Sequence, residues 1–245
     1  MAPSKIFFFV GTLLAVGSAT PSYAAEPTYE VELGSEGECL TQIDAAREAA
    51  GLAKFATPSE ENKKLPLATT NAAWAPLCKD LINASSPKSV REIQDFEEGT
   101  YAFEVLKSAK VDCDAAVDLW KGAYKNFSGL PPAGNKDTAN IYKDKVNVSL
   151  VALFNPKSGA TADCRVATCT EIPGAEERSI VNAEEQHRKA FIFVCMTTPD
   201  VLKSDEPPFT QDEWDKISSA ITGSAAVAFP GFILVAMSVL SIAIL

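Results

Sequence analysis

The sequence predicts an α+β domain, with helices packed over a mostly antiparallel sheet and three disulfides. Three observations carry that expectation. Apolar residues recur at helical spacing through the first half of the chain, around Ile43, Leu77 and Val117. From Val146 onward the pattern changes to short apolar runs of strand length, with a turn signal at Asn155-Pro156-Lys157-Ser158-Gly159. All six cysteines, Cys39, Cys78, Cys113, Cys164, Cys169 and Cys195, lie between an apolar leader and an apolar tail. An even count in an exported chain reads as a disulfide framework. A zinc site is the competing use, but it would want Cys-x-x-Cys or His pairs, and the chain has one His and a single Cys-x4-Cys step.

Residues 26–34 form a lead-in with no clear structural signal. Ser35 and Glu38 make a capping box, and Leu40, Ile43, Ala46 and Ala50 follow at helical spacing until Gly51 ends a first helix. Residues 57–70, rich in Pro, Glu, Lys and Asn, read as a surface loop. A second helix is expected from about Pro76, carrying Leu77, Cys78, Leu81 and Ile82. Residues 100–106 alternate and are β-prone, which predicts a strand. Asp112 then caps a third helix, with Cys113, Val117, Trp120, Tyr124 and Phe127 on one face and Pro131-Pro132 closing it. That aromatic stripe reads as core.

The run 146–154 is almost wholly apolar and of strand length, so a strand is expected there. Residues 162–170 form the next strand, placing Cys164, Val166 and Thr168 on one face and Cys169 on the other. The polar stretch 171–188 reads as an exposed excursion with some helix. Residues 190–196, Ala-Phe-Ile-Phe-Val-Cys-Met, form the strand expected to be most buried. A last short helix over 209–217 is capped by Thr210 and Glu213.

Both ends read as processing signals. Residues 1–24 have the form of a signal peptide: Lys5, an apolar stretch over 6–16, and a small-x-small site at Ser22-Tyr23-Ala24. An uncleaved N-terminal anchor is the alternative, and the short apolar run argues against it. Residues 223–245 carry no charge and are long enough to cross a bilayer. No Lys or Arg follows them, as a retained span would want, and small residues stand in front. This is the pattern of a GPI-anchor signal, with Gly223 the expected attachment residue and Ser219 the alternative. A retained tail-anchoring helix is the competing reading. The expected ectodomain is 25–222.

With Lys5 in the leader, the exported part keeps 21 basic against 32 acidic residues, a net of −11. Such a surface repels nucleic acid and anionic lipid, so no nucleic-acid partner is expected. Chemistry is equally sparse. His187, the sole histidine, sits in Glu184-Glu185-Gln186-His187-Arg188, where a solvated imidazole is expected. Nucleophile elbows, phosphate-cradling glycine loops and calcium loops are absent from the sequence. Glu97-Glu98 and Glu176-Glu177 read as surface. No catalytic residue, metal or cofactor is expected. Asn83, Asn126 and Asn147 open N-glycosylation sequons.

Cys164-Arg-Val-Ala-Thr-Cys169, then Phe191-Ile-Phe-Val-Cys195 and Pro199, resemble the end of the CAP superfamily of cysteine-rich secretory, antigen 5 and pathogenesis-related proteins. Ile43-Asp44-Ala45-Ala46-Arg47 sits where that superfamily has His-Asn-x-x-Arg, and Val117-Asp-Leu-Trp120 where it has Val-x-x-Trp-x-x-Glu. A fuller resemblance is to the SAG surface antigens of the coccidian parasite Eimeria. It runs through Cys39 to Gly51, Cys113 to Pro132, Leu153-Phe-Asn-Pro156, Asp163 to Thr170 and Pro207-Pro-Phe-Thr-Gln-Asp-Glu-Trp214. These resemblances imply a CAP-like three-layer α-β-α sandwich on a GPI-anchored parasite surface protein. By the CAP analogy Cys169 should pair with Cys195, the remaining pairings staying open. The superfamily's metal-holding cleft is not implied, since Ile43 replaces the first-helix His and Ala123 the Glu after Trp120.

The function classes weighed are therefore a non-enzymatic surface antigen contacting a host-cell surface molecule, and a lipid or sterol binder with a groove between helices. A secreted hydrolase has almost no support in the residues. Loops on a rigid scaffold are the usual place for recognition.

Overall fold

The computed structural model describes residues 26–67, 74–84, 99–134, 137–174 and 187–224. Four strands, β1 (Thr28–Leu33), β2 (Thr100–Leu106), β3 (Thr161–Ile172) and β4 (Lys189–Thr198), form one sheet in the order β1-β3-β4-β2. Every neighbouring pair is antiparallel. The sheet is mixed with five α-helices: α1 (Leu40–Ala49), α2 (Trp74–Asn83), α3 (Cys113–Gly122), α4 (Lys145–Leu153) and α5 (Gln211–Ser224). The α+β layout with an antiparallel sheet and three disulfides is as the sequence predicts.

Side chains alternate across a strand, and here each face meets its own helices. Ala102, Cys164, Val166, Phe193 and Cys195 join one core with residues of α1, α3, α4 and α5. Tyr101, Phe103, Ala167, Cys169, Ile192, Val194 and Met196 join a second core with Trp74, Leu77, Cys78 and Leu81 of α2. On the first face the Trp120 ring stacks on Phe193 at 5.5 Å between centroids. The third-helix stripe is core, as its spacing predicts, although the helix ends at Gly122 and passes into a 3-10 turn over Ala123–Asn126. Asp112 caps α3 by accepting from the Ala115 N–H at 3.1 Å.

Three local expectations are corrected. First, 146–154 is not a strand but helix α4. Its nine residues are too few for periodicity to decide. Residues 147–153 are all buried, because α4 lies between β2 and α3, so no polar face is needed. Asp144 caps it, accepting from the Val146 N–H at 3.2 Å. The helix also closes a sheet edge. The outward-pointing Phe103 N–H donates to Ser149 Oγ at 3.0 Å, and the Phe103 carbonyl accepts from Trp120 Nε1 at 2.9 Å. Those two bonds blunt an edge that would otherwise be open to another strand.

Second, the unassigned lead-in is strand β1, which pairs with β3 from Thr28↔Ile172 to Leu33↔Ala167. Third, the Ser35–Glu38 capping box does not form. Pairing with β3 continues past β1, with the Gly34 and Glu38 N–H groups donating to the Val166 and Cys164 carbonyls. The chain turns into α1 only at Cys39, whose φ of 61° is left-handed and whose side chain makes no cap. The last helix does carry its predicted capping box: the Thr210 N–H donates to Glu213 Oε2 at 2.8 Å and the Glu213 N–H to Thr210 Oγ1 at 3.3 Å. It runs to Ser224, seven residues beyond the expected end, burying Trp214 and Ile217.

The disulfides are Cys39–Cys113, Cys78–Cys169 and Cys164–Cys195. The expected Cys169–Cys195 pair is therefore corrected. In the β3–β4 register Cys195 stands opposite Cys164, while Cys169 stands opposite Ala190. Cys164 and Cys169 are an odd number of residues apart, so they point to opposite faces. Cys164 bridges the two central strands on the many-helix face. Cys169 holds α2 against the other.

Candidate functional site

The helix signature around Ile43 is a structural pin. Ile43 is buried in the first core, as is Ala123. Asp44 Oδ1 accepts from the Phe55 N–H at 3.0 Å. Arg47, 2% exposed, donates from Nε to the Ala53 carbonyl and from Nη1 to the Leu153 carbonyl, both at 2.9 Å. Its guanidinium lies 3.6 Å from the centre of the Phe55 ring. Burial pulls it down to about 10, against the pull of Asp44, so it stays charged at neutral pH. These contacts fasten α1 to the end of α4 and to the loop after α1. The motif's buried hydrogen bonds all go to backbone groups of the fold.

The cysteines offer no ligand set. Glu38 lies beside Cys39 and Cys113, but those two sulfurs are bonded to each other and leave one carboxylate. Asp163, also buried, accepts from the Leu65 N–H at 2.8 Å and from Arg165 Nε at 3.0 Å, and Arg165 Nη2 donates to Glu36 at 2.7 Å. This strap holds the 61–65 loop on β3.

His187 is half-buried and not simply solvated, with Nδ1 3.2 Å from the Glu171 carbonyl. It stands next to a polar cluster built on Glu171 and Arg188. Arg188 grips the Glu171 carboxylate with Nε and Nη2, the latter at 2.6 Å, and also donates to Asn83 Oδ1 from Nη1 at 3.3 Å. The Tyr29 hydroxyl reaches Glu171 Oε1 at 3.5 Å. Around this group opens a cleft of about 900 Å³ between the start of β1, one side of α2 and the end of β3, walled also by Pro76, Lys79 and Pro173. The sequence conceals it, because residues 26–34 show no clear structural signal and 171–188 read as an exposed excursion with some helix. The alternation of Tyr29, Val31 and Leu33 was the signal that could have found β1. A second, smaller hollow of about 380 Å³ lies between α1, α3 and α5, with Ala46, Val117 and Ile221 in its lining and Asp114, Asp118 and Lys121 beside them.

The three sequon residues differ. Asn83 is exposed at the end of α2 and lines the larger cleft. Asn126 is exposed, with Nδ2 donating to Asn147 Oδ1 at 2.7 Å. Asn147 is buried, its own Nδ2 donating to the Ile141 carbonyl at 2.7 Å. Ser219 and Gly223 are exposed positions on α5. Glu97-Glu98, Glu176-Glu177, the leader and the tail from residue 225 lie outside the described residues. Among the described residues, no helix is long and apolar enough to cross a membrane.

Comparison with known proteins follows the same lines. The family model described as the sporozoite surface antigen (SAG) protein domain matches residues 35–236, which takes in all six cysteines and α1 to α5. The chain belongs to the sporozoite surface antigen family. It is also 25% identical over 226 residues to the sporulated oocyst TA4 antigen of Eimeria tenella, covering 83% of this chain and 85% of that protein. No solved structure matches it. SAG membership carries a surface-antigen role and a cell-surface location. The buried Arg47, Asp163 and three disulfides then read as what keeps a SAG domain rigid outside the cell.

Proposed function

We propose that the chain is exported, cut after Ala24, and held on the outer face of the plasma membrane by a GPI lipid at Gly223. There the domain 25–222 contacts a host-cell surface molecule without catalysing a reaction. The observation that carries this reading is the course of α5. Its amphipathic stretch buries Trp214 and Ile217 and continues to Ser224, where an uncharged apolar sequence begins. Attachment at Gly223 keeps all but the last residue of that helix with the domain, whereas attachment at Ser219 would remove its last five residues. A lipid joined there would hold a rigid body directly at the membrane, with no linker. The CAP-like sandwich belongs to the same proposal, supported by helices on both faces of the antiparallel sheet.

The test is release. Phosphatidylinositol-specific phospholipase C applied to intact parasite cells should free the antigen into the medium, and the folded ectodomain should bind host cells saturably. Retention after phospholipase treatment would refute the anchor, and unsaturable binding would refute attachment. The second reading, a lipid- or sterol-binding protein, draws on the hollow between α1, α3 and α5, which is near the lower end of small-molecule sites, roughly 300–1,000 Å³. Lipid co-purifying at a fixed ratio with the oxidised ectodomain would favour it.

A further inference from the structure

We propose that the cleft bounded by Tyr29, Lys79, Asn83, Glu171 and Arg188 is a binding site for a neutral saccharide. The inference deepens the reading of the domain as a host-facing surface module and rests on it for biological meaning, but its chemistry stands on the cleft alone. At about 900 Å³ the opening is roughly as large as the larger small-molecule clefts, room for a short oligosaccharide with its waters.

The class of ligand follows from what the polar groups are already doing. Arg188 and Glu171 are locked in a two-pronged ion pair, and Asn83 and Tyr29 brace it. Glu171 is largely buried, so separating the pair would strand a desolvated carboxylate. Without taking Arg188 from Glu171, an anionic ligand would meet only the exposed Lys79 in a domain of net charge −11, and a cationic one only the exposed Glu26. A purely apolar ligand would strip water from the pair without replacing its hydrogen bonds. A polyhydroxylated neutral ligand needs none of these exchanges. A carboxylate has about four acceptor sites, and Glu171 is engaged by three donors, so a sugar hydroxyl can add to the pair while leaving it intact. The other walls suit the remaining surface of such a ligand. The Tyr29 ring and the rigid Pro76 and Pro173 offer apolar faces to sugar C–H groups. The fork is held before the ligand arrives, so little ordering is lost on binding.

The saccharide has two sources, a host glycan or the chain's own glycan on Asn83, which opens a sequon at the cleft wall. The experiment separates them. The oxidised ectodomain 25–222 is titrated by saturation-transfer NMR with N-acetyllactosamine and chitobiose as neutral probes and sialyllactose as the acidic one. It is made both as the natural sequence and as Ser85→Ala, which removes the sequon and keeps the Asn83 side chain. Saturable binding of a neutral probe is expected, weakened about tenfold or more by Tyr29→Ala and little by Tyr29→Phe. Lys79→Trp, an exposed change that fills the cleft, should abolish binding at an unchanged melting temperature. Binding that emerges only in Ser85→Ala identifies the chain's own glycan as the occupant. Exclusive binding of sialyllactose, no binding by the folded Ser85→Ala protein, or equal binding by Lys79→Trp each overturns the proposal. Host-cell binding is measured on the same samples. If cells still bind Lys79→Trp fully, the saccharide proposal fails as the route of attachment while attachment stands. If saccharide binds but cells do not, attachment fails and the cleft stands.

Discussion

On one face of the sheet four helices share a continuous core, with Trp120 stacked on Phe193 and an aromatic group of Tyr124, Phe127, Phe209 and Trp214 beside it. On the other face, among the described residues, α2 is the one α-helix over Tyr101, Ile192, Val194 and Met196, with Leu65 of the preceding loop beside it. The first cover is redundant, since α1, α3, α4 and α5 brace one another as well as the sheet. The second is a single helix of ten residues, a length marginal as an isolated helix in water. Its docking depends on its apolar face and on the covalent tie from Cys78 to Cys169. The two covers teach that helices which pack on one another need fewer covalent ties per element than one that packs on the sheet alone. The proposed saccharide cleft lies beside the singly held helix.

The contrast can be broken most severely from the crowded side. Trp120→Ala removes a fully buried ring together with one of the two bonds that close the β2 edge, and should cost about 3–5 kcal/mol. Denaturant unfolding of the ectodomain measures this, with both faces losing amide protection together. Replacing Cys78 and Cys169 jointly with Ala should cost about 2–4 kcal/mol, but unevenly. Hydrogen exchange should quicken through α2 while α3 and α4 keep their protection. Uniform loss of protection would show that the two faces are not held separately.

Arg47→Lys keeps a charge but cannot reproduce two carbonyl bonds and the stacking on Phe55. A loss of about 1–3 kcal/mol is expected, read as loosening between α1 and the end of α4. The smallest effect is electrostatic. Glu104, on β2, has one buried carboxylate oxygen without a hydrogen-bond partner, and burial followed by nearby Asp112 raises its protonation range. An acid whose folded pKa is raised takes up protons on folding, so the penalty for its charge is present above that range and vanishes below the ordinary carboxylate range. Glu104→Gln should therefore raise the unfolding free energy slightly at pH 7, by less than about 1 kcal/mol after solvent screening. The gain should disappear as the pH falls below the ordinary carboxylate range. A gain independent of pH would contradict the assignment.

Signals that are local and unambiguous were legible. Asp112 and the Thr210/Glu213 box cap the helices they should. The opposite facing of Cys164 and Cys169 was readable from parity, and the third-helix aromatic stripe from its spacing. What stayed hidden depends on distant partners. A run of nine residues, seven of them apolar, satisfies a buried strand and a buried helix equally, and the Phe103 edge it seals decides for α4. β1 is a short edge strand whose Glu30 and Glu32 mask its alternation. The Cys169 partner lies on α2, 91 residues earlier, so family analogy supplied a neighbour on the wrong face. The cleft combines residues of four segments, and the Asn83 sequon is the one local motif among them.

The separate fastening of the two covers is open to a single measurement. Tryptic peptide mapping of the oxidised ectodomain without reduction is well suited to it, because Arg165 lies between Cys164 and Cys169 and cleavage there puts them on different peptides. The account predicts linked peptides joining Cys39 to Cys113, Cys78 to Cys169 and Cys164 to Cys195. A peptide joining Cys169 to Cys195, with Cys78 bonded elsewhere, would contradict it.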